Sequence, residues 1–222
     1  MRVLRLFLWI LVFIPLIITF FMLPILSDAI PIHFGWGGDV TTYGSKYVMF
    51  VLPGATMFIA LFWLAMEKIA IKQDEEKGVR NGKVLLWLNV ISVSYLTIMT
   101  IQFAFVAYND IQNINEGIFD ITKILTVGLG VCYVVLGNLL PKCKQNALIG
   151  FRTKWTLKSE LSWYKTHRLG GKIILIYGIL SIILSLFVLD GIVGLFASVG
   201  GLLIITIPLI IYSYHVYKHD TH

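Results

Sequence analysis

Six long apolar runs divide this chain, and short polar segments separate them. A bilayer-spanning helix needs about 20 mostly apolar residues, and runs of that kind fall at residues 3–26, 47–66, 84–108, about 119–140, about 173–189 and 192–214. The first follows Arg2 and Arg5, is too long for a signal-peptide core and ends without a small-residue cleavage site, which predicts an uncleaved first helix. Only a tight turn at Leu189, Asp190 and Gly191 parts the last two. The pattern predicts an all-α, polytopic integral membrane protein with six transmembrane helices, organised as a single membrane domain over residues 1–222. No internal repeat, soluble domain or low-complexity linker interrupts it.

Composition supports the bilayer. The chain is 58 % hydrophobic and 14 % charged, against about 25 % charged in soluble domains, and a 222-residue globule cannot hide that much apolar surface. The net charge of +6 matters less than where it sits. Arg2 and Arg5 precede the first run; Lys68, Lys72, Lys77, Arg80 and Lys83 fill the second loop. Lys142, Lys144, Arg152, Lys154, Lys158, Lys165, Arg168 and Lys172 fill the fourth, and Lys218 lies in the tail. These sixteen lie on one side, against Lys46 and Lys123 on the other. The positive-inside rule then predicts a cell-membrane protein with both termini cytoplasmic. Cys132, in an apolar run, and Cys143, in a basic loop, read as two free thiols.

The spans carry few polar groups. Glu67, Asp120 and Lys123 sit near helix ends and no charge falls near a midpoint, which disfavours ion-coupled transport. Asn89 and Gln102 read as interhelical hydrogen-bonders. Gly194, Ala197, Ser198 and Gly201 form one small-residue face, suited to close packing within the chain or, less readily, to a dimer seam. In the tail, His215 and His219 with His222 beyond read as surface histidines rather than a metal site.

Two loops hold the candidate chemistry. The outer loop, residues 23–46, is rich in glycine, proline and aromatics. Pro31 biases Ile30 to an extended conformation; Gly35, Gly37 and Gly38 permit tight turns; Phe34 and Trp36 suit the headgroup level. Asp28, His33 and Asp39 lack a metal-ligand spacing, so the expectation is a re-entrant or interfacial cap able to meet a ligand from outside. In the fourth loop Pro141 ends a helix and an irregular stretch follows. Thr156 then reads as the N-cap of an amphipathic interfacial helix, with Glu160 in its first turn, Lys165, His167 and Arg168 at its end and Gly170–Gly171 as its stop. Leu157, Leu161 and Tyr164 share its apolar face, beside anionic headgroups of the bilayer.

The stretch GNLLPKCKQNALIGFRTKWTLKSELSWYKTHRLGGK, residues 137–172, closely resembles the signature of the SdpI family of bacterial membrane proteins. The outer loop resembles the IPxHF module often found in front of that signature, through Pro31, His33, Phe34, Gly38 and Asp39. One departure is Lys154, where the family usually has proline. The resemblance implies an immunity protein that protects a Gram-positive cell from a secreted toxin peptide. It also implies a membrane receptor that holds a small transcriptional repressor. Under that reading the outer-loop residues meet the peptide, and Asn146, Gly150, Arg152, Trp155, Thr156, Glu160, Trp163, Lys165, His167 and Arg168 make a cytoplasmic partner site. The alternative is a membrane carrier or enzyme for a small molecule or lipid, with His167, Glu160 and Arg168 beside a cytoplasmic pocket. No nucleophile motif, phosphate loop or metal-ligand set supports catalysis; no cofactor is expected, and an anionic membrane competes with nucleic acid for the basic loop.

Overall fold

A computed structural model describes residues 1–73, 75–115, 121–189 and 191–220, without the side chains of 73 and 75–79. Phe119, Asp120, Asp190, His222 and the side chain of Lys77 lie outside the described residues. Helix α1 (Arg2–Met22) leads to a hairpin of β1 (Ala29–Phe34) and β2 (Val40–Ser45). A 3-10 turn, Lys46–Phe50, then feeds α2 (Val51–Gln73), and α3 (Glu75–Asn109) returns. Helix α4 (Ile121–Leu139) ends in a second 3-10 turn, Leu140–Lys142. The short α5 (Lys154–Lys158), α6 (Glu160–Phe187) and α7 (Gly191–Asp220) complete the fold. Six of the segments are long and apolar enough to cross a bilayer.

The molecule is inverted relative to a soluble bundle. Phe187 and Phe21 are 79 % and 77 % exposed, while Thr19, Thr56, Asn89, Thr100, Ser198 and Ser213 are buried. In lipid the apolar side chains gain nothing by turning inward, whereas polar groups must find partners. Asn89 Nδ2 accordingly donates to the Ala60 carbonyl at 3.0 Å, and Gln102 Nε2 to that of Ile121 at 3.2 Å, the interhelical bonds expected of them. Pro15, inside α1, has no N–H for the Leu11 carbonyl four residues back; Thr97 Oγ1 of α3 donates to that carbonyl at 3.3 Å. The small-residue face of α7 packs within the chain: Ser198 Oγ lies 2.7 Å from Ser181 Oγ of α6, and Tyr177 Oη donates to the Ser198 carbonyl at 2.7 Å.

Three local expectations are corrected. The second loop is helical almost throughout, because Glu, Lys, Gln and Arg are good helix formers and their charge alone does not break a helix. Gly170–Gly171 does not stop a helix: α6 runs through both, so the predicted interfacial helix is instead the polar end of the fifth span. These glycines serve packing. A Cβ on Gly137 would lie 2.5 Å from the Leu175 nitrogen, and one on Gly171 2.7 Å from the Gly137 carbonyl. A Cβ on Gly178 would lie 2.7 Å from the Gly130 carbonyl, so α4 and α6 meet antiparallel, backbone on backbone. The N-cap is likewise not Thr156. Thr153 caps α5, with Thr156 reciprocating from the third position, and Ser159 caps α6. Lys154 is thus the first residue of α5.

Candidate functional site

At one end of the bundle the loop of residues 23–46, expected as a re-entrant or interfacial cap, contains an antiparallel hairpin, paired from Ala29–Ser45 to Phe34–Val40. Burial along β1 does not alternate: Ile30 and Pro31 are both buried and Ile32 and His33 both exposed, and the pairing shifts register on either side of His33. Gly38 sits at φ 89°, open to glycine, and a Cβ there would run into Asn113 and Asn115. Those asparagines clamp the turn. Asn113 Nδ2 donates to Asp39 Oδ1 at 2.8 Å, and Asn115 Nδ2 to the Gly37 carbonyl at 3.1 Å. Val40 N donates to the Gln112 carbonyl and Ile114 N to the Gly38 carbonyl, so residues 112–114 act as a short third edge.

The hairpin's polar residues therefore divide. Asp39 holds the clamp, exposed His33 lies with Nδ1 2.7 Å from Thr41 Oγ1, and Asp28 pairs with Lys46 at 3.0 Å. The three groups are committed separately, and the described residues contain no cluster of metal-ligating side chains. Pro31 is buried and Phe34 half-buried, while Trp36, 75 % exposed, stacks at 5.0 Å on Phe196 of α7. Sequence reasoning missed Asn113 and Asn115; the asparagine-rich run 113–115 was the available signal, since Asn caps and braces turns.

At the opposite end, residues 143–159 fold back onto the start of α6 around His167. Asn146 organises the approach: its Oδ1 accepts from Leu148 N at 2.7 Å and Ile149 N at 2.8 Å, and its Nδ2 donates to the Lys144 carbonyl at 2.6 Å. Gly150 follows at φ 110°, and a Cβ there would strike the His167 ring. This close pass lets Phe151 N donate to His167 Nε2 at 2.9 Å. A backbone N–H only donates, so Nε2 is unprotonated; Nδ1, 2.9 Å from the Trp163 carbonyl, carries the hydrogen. His167 is thus a neutral imidazole with both nitrogens engaged.

The rest of the loop repeats this economy. Trp163 stacks on His167 with centroids 4.0 Å apart and donates from Nε1 to the Cys143 carbonyl at 3.0 Å. Thr156 Oγ1 donates to the Phe151 carbonyl at 2.7 Å and accepts from Thr153 N. Ser162 Oγ donates to the Ser213 carbonyl, Thr153 Oγ1 touches Ser213 Oγ at 3.1 Å, and Ser159 donates to Asp220, so α7 is stitched twice to the loop and once to the start of α6. Burial pushes the Cys143 thiol up to about 12, which leaves it unreactive in the folded state.

The expected partner site therefore separates into two groups. Asn146, Gly150, Thr156, Trp163 and His167 are internal braces, with Trp163 and His167 only 3 % and 1 % exposed, so the latter two correct the expectation of a docking face. Asn146, Thr156, Trp163 and His167 turn inward because their polar atoms satisfy the loop's irregular backbone, alongside Asn81 and Gln145. Arg152, Glu160, Lys165 and Arg168 are exposed, the last donating to Tyr164 Oη at 2.7 Å, and half-buried Trp155 packs on Tyr214. A cleft of about 330 Å³ opens beside them, lined by Arg80, Gln145, Glu160, Trp163, Tyr164 and His167 among others. With its ring committed to Phe151 and Trp163, His167 has no free lone pair for acid–base work in that cleft. Asn81, whose Oδ1 accepts from Lys144 N at 2.9 Å, and Ser213 were missed; Ser213 is a polar residue amid apolar sequence, whereas Asn81 is hidden in a charged stretch.

Comparison with known proteins falls on these two ends. Residues 142–213 match the SdpI/YfhL protein family, a stretch running from the loop to the serine that ties α7 to it. Residues 10–57 match a domain of unknown function, DUF1648, which spans the hairpin. Immunity protein SdpI of Bacillus subtilis (strain 168) is 26 % identical over 196 residues, covering 87 % of this chain and 86 % of that protein. No solved structure matches the chain.

Proposed function

We propose, on the premise that residues 142–213 place the chain in the SdpI/YfhL family, that this multi-pass membrane protein confers immunity to a secreted toxin peptide. The similarity to an immunity protein over 87 % of the chain carries the reading. The sixteen-to-two distribution of basic residues orients the bundle with its termini and the His167 loop in the cytoplasm and the hairpin outside. The toxin meets the hairpin, where Ile32, Trp36 and Tyr43 present exposed apolar surface around the Asp39–Asn113 clamp. Pro31, His33, Phe34, Gly38 and Asp39 shape that surface. On the other side Arg152, Trp155, Glu160, Lys165 and Arg168 form the responding face, held in place by the His167 braces, and a small transcriptional repressor is its partner.

The test is survival of a sensitive Gram-positive strain expressing the protein and challenged with a secreted killing peptide, at equal membrane abundance of each variant. Protection by the wild type, lost in His33→Ala/Asp39→Ala, supports recognition at the hairpin. Loss in Arg152→Ala/Lys165→Ala of reporter induction, with survival intact, supports the cytoplasmic response. Absence of protection by the wild type against a panel of such peptides refutes the immunity reading.

A further inference from the structure

Beside the His167 loop, four described basic side chains gather in one place. Arg80 and Lys83 at the start of α3 and Lys142 and Lys144 just past α4 line one groove of about 480 Å³. Its remaining described walls are apolar or aromatic, Trp87 and Leu139 among them, and among the described residues no carboxylate lines it. All four cations are exposed, and the two ion pairs among the described residues, Arg5–Glu67 and Lys46–Asp28, involve none of them. The neighbouring cleft, which shares Arg80 and Lys144, contains Glu160. Four like charges converging at the membrane end of two helices repel one another unless an anion sits among them.

The groove's surroundings identify the anion. Lys83 and Trp87 also line a second crevice of about 550 Å³ between α1 and α3, whose other walls include Val3, Leu4, Phe7 and Leu86. A cationic groove thus passes, through one lysine and one tryptophan, into an apolar crevice that faces lipid. A free phosphate uses only the first half of this arrangement. A phospholipid uses both, and the tryptophan lies at the junction, where amphipathic rings settle at the level of the glycerol backbone.

We propose that this end of the bundle binds one anionic phospholipid, with its headgroup among Arg80, Lys83, Lys142 and Lys144 and an acyl chain in the crevice beside Leu4 and Phe7. The bound lipid bridges α1, α3 and the segment just past α4. The site stands on charge and shape alone and does not depend on the immunity reading.

Native mass spectrometry of the full-length protein in a neutral detergent tests it, with phosphatidylglycerol, phosphatidylcholine, glycerol 1-phosphate and inorganic phosphate titrated separately. One phosphatidylglycerol molecule should be retained in preference to phosphatidylcholine, and neither soluble phosphate should displace it at matched concentration. Lys142→Gln/Lys144→Gln should weaken retention about thirtyfold, from about 1 kcal/mol per basic residue near an anionic surface and tenfold per 1.4 kcal/mol. Lys158→Gln/Lys172→Gln, which removes two exposed lysines elsewhere on the same end, should change it less than twofold. Circular dichroism establishes that both variants are folded. Equal retention of phosphatidylcholine, equal loss in both variants, or displacement by soluble phosphate would each overturn the assignment.

Discussion

Replacing His167 with alanine should loosen the loop of residues 143–159 without dismantling the bundle, and the size of the effect follows from its contacts. The ring accepts from Phe151 N and stacks on Trp163 at 4.0 Å. Removing it leaves a part-buried N–H without its acceptor, a cost of about 1 kcal/mol where water can partly enter and up to about 3 kcal/mol where it cannot. The lost aromatic stack adds about 1 kcal/mol. The Trp163 carbonyl loses only a second partner, since it also lies within the α6 helix. The sum is at least about 2 kcal/mol, or about a thirtyfold rise in the population of the open loop. Cys143 reports that opening: it is buried, its carbonyl holds the Trp163 indole, and its thiol is kept protonated by burial. In a Cys132→Ser background, maleimide labelling of Cys143 should accelerate about thirtyfold in His167→Ala. His167→Gln, whose carbonyl can accept from Phe151 N, should recover much of the loss. A change under threefold in His167→Ala, or equal rates in the two variants, would refute the assignment of His167 as a backbone brace.

Three further outcomes are expected. Lys154→Pro should raise stability by about 0.4–1 kcal/mol, read as a higher Tm of the purified protein. Lys154 is the first residue of α5, where proline's fixed φ and missing N–H are tolerated, and Thr153 at φ −94° and ψ 164° already has the extended backbone that proline demands of its predecessor. Gly137→Ala should cost about 1–3 kcal/mol by driving α4 from α6, whereas Gly54→Ala, with open space around its Cβ, should be neutral or slightly stabilising; paired melting curves in one detergent separate them. Arg5→Met should destabilise by about 1–2 kcal/mol, because the Glu67 carboxylate, 3 % exposed and 2.7 Å from Arg5, loses its counter-charge while Arg5 itself is half exposed. Arg5→Met/Glu67→Met should restore the melting temperature, and failure to do so would place the cost elsewhere.

Much of this architecture is legible in the chain before any folding is considered. A run of twenty apolar residues has one stable fate in a bilayer, so the number of spans follows from hydropathy, as does the identity of Asn89 and Gln102 as bonds between helices. The two loops that carry the family's resemblance are also legible as motifs. What the motifs do is not. Asn146, Gly150, Trp163 and His167 look like a recognition surface in sequence because polar and aromatic residues alternate with basic ones. Only the tertiary fold brings Phe151 N to His167 Nε2 across sixteen residues and turns those side chains inward. Likewise the Gly170–Gly171 pair has the local form of a helix stop, yet close approach of α4 to α6 needs a surface without side chains at Gly171 and rewards continuing the helix.

The hairpin end follows the same logic. Nothing local joins Gly38 to Asn113, and the clamp exists because α2 and α3 return the chain to the hairpin's tip. Hydropathy acts on each segment singly and so determines which segments enter the membrane and which end carries the positive charge. Hydrogen bonds between distant backbones, and the distance at which two helices can pack, are properties of pairs. Those pairs, found only in the folded chain, decide that His167 braces a loop and that four cations from the start of α3 and the segment after α4 share one groove.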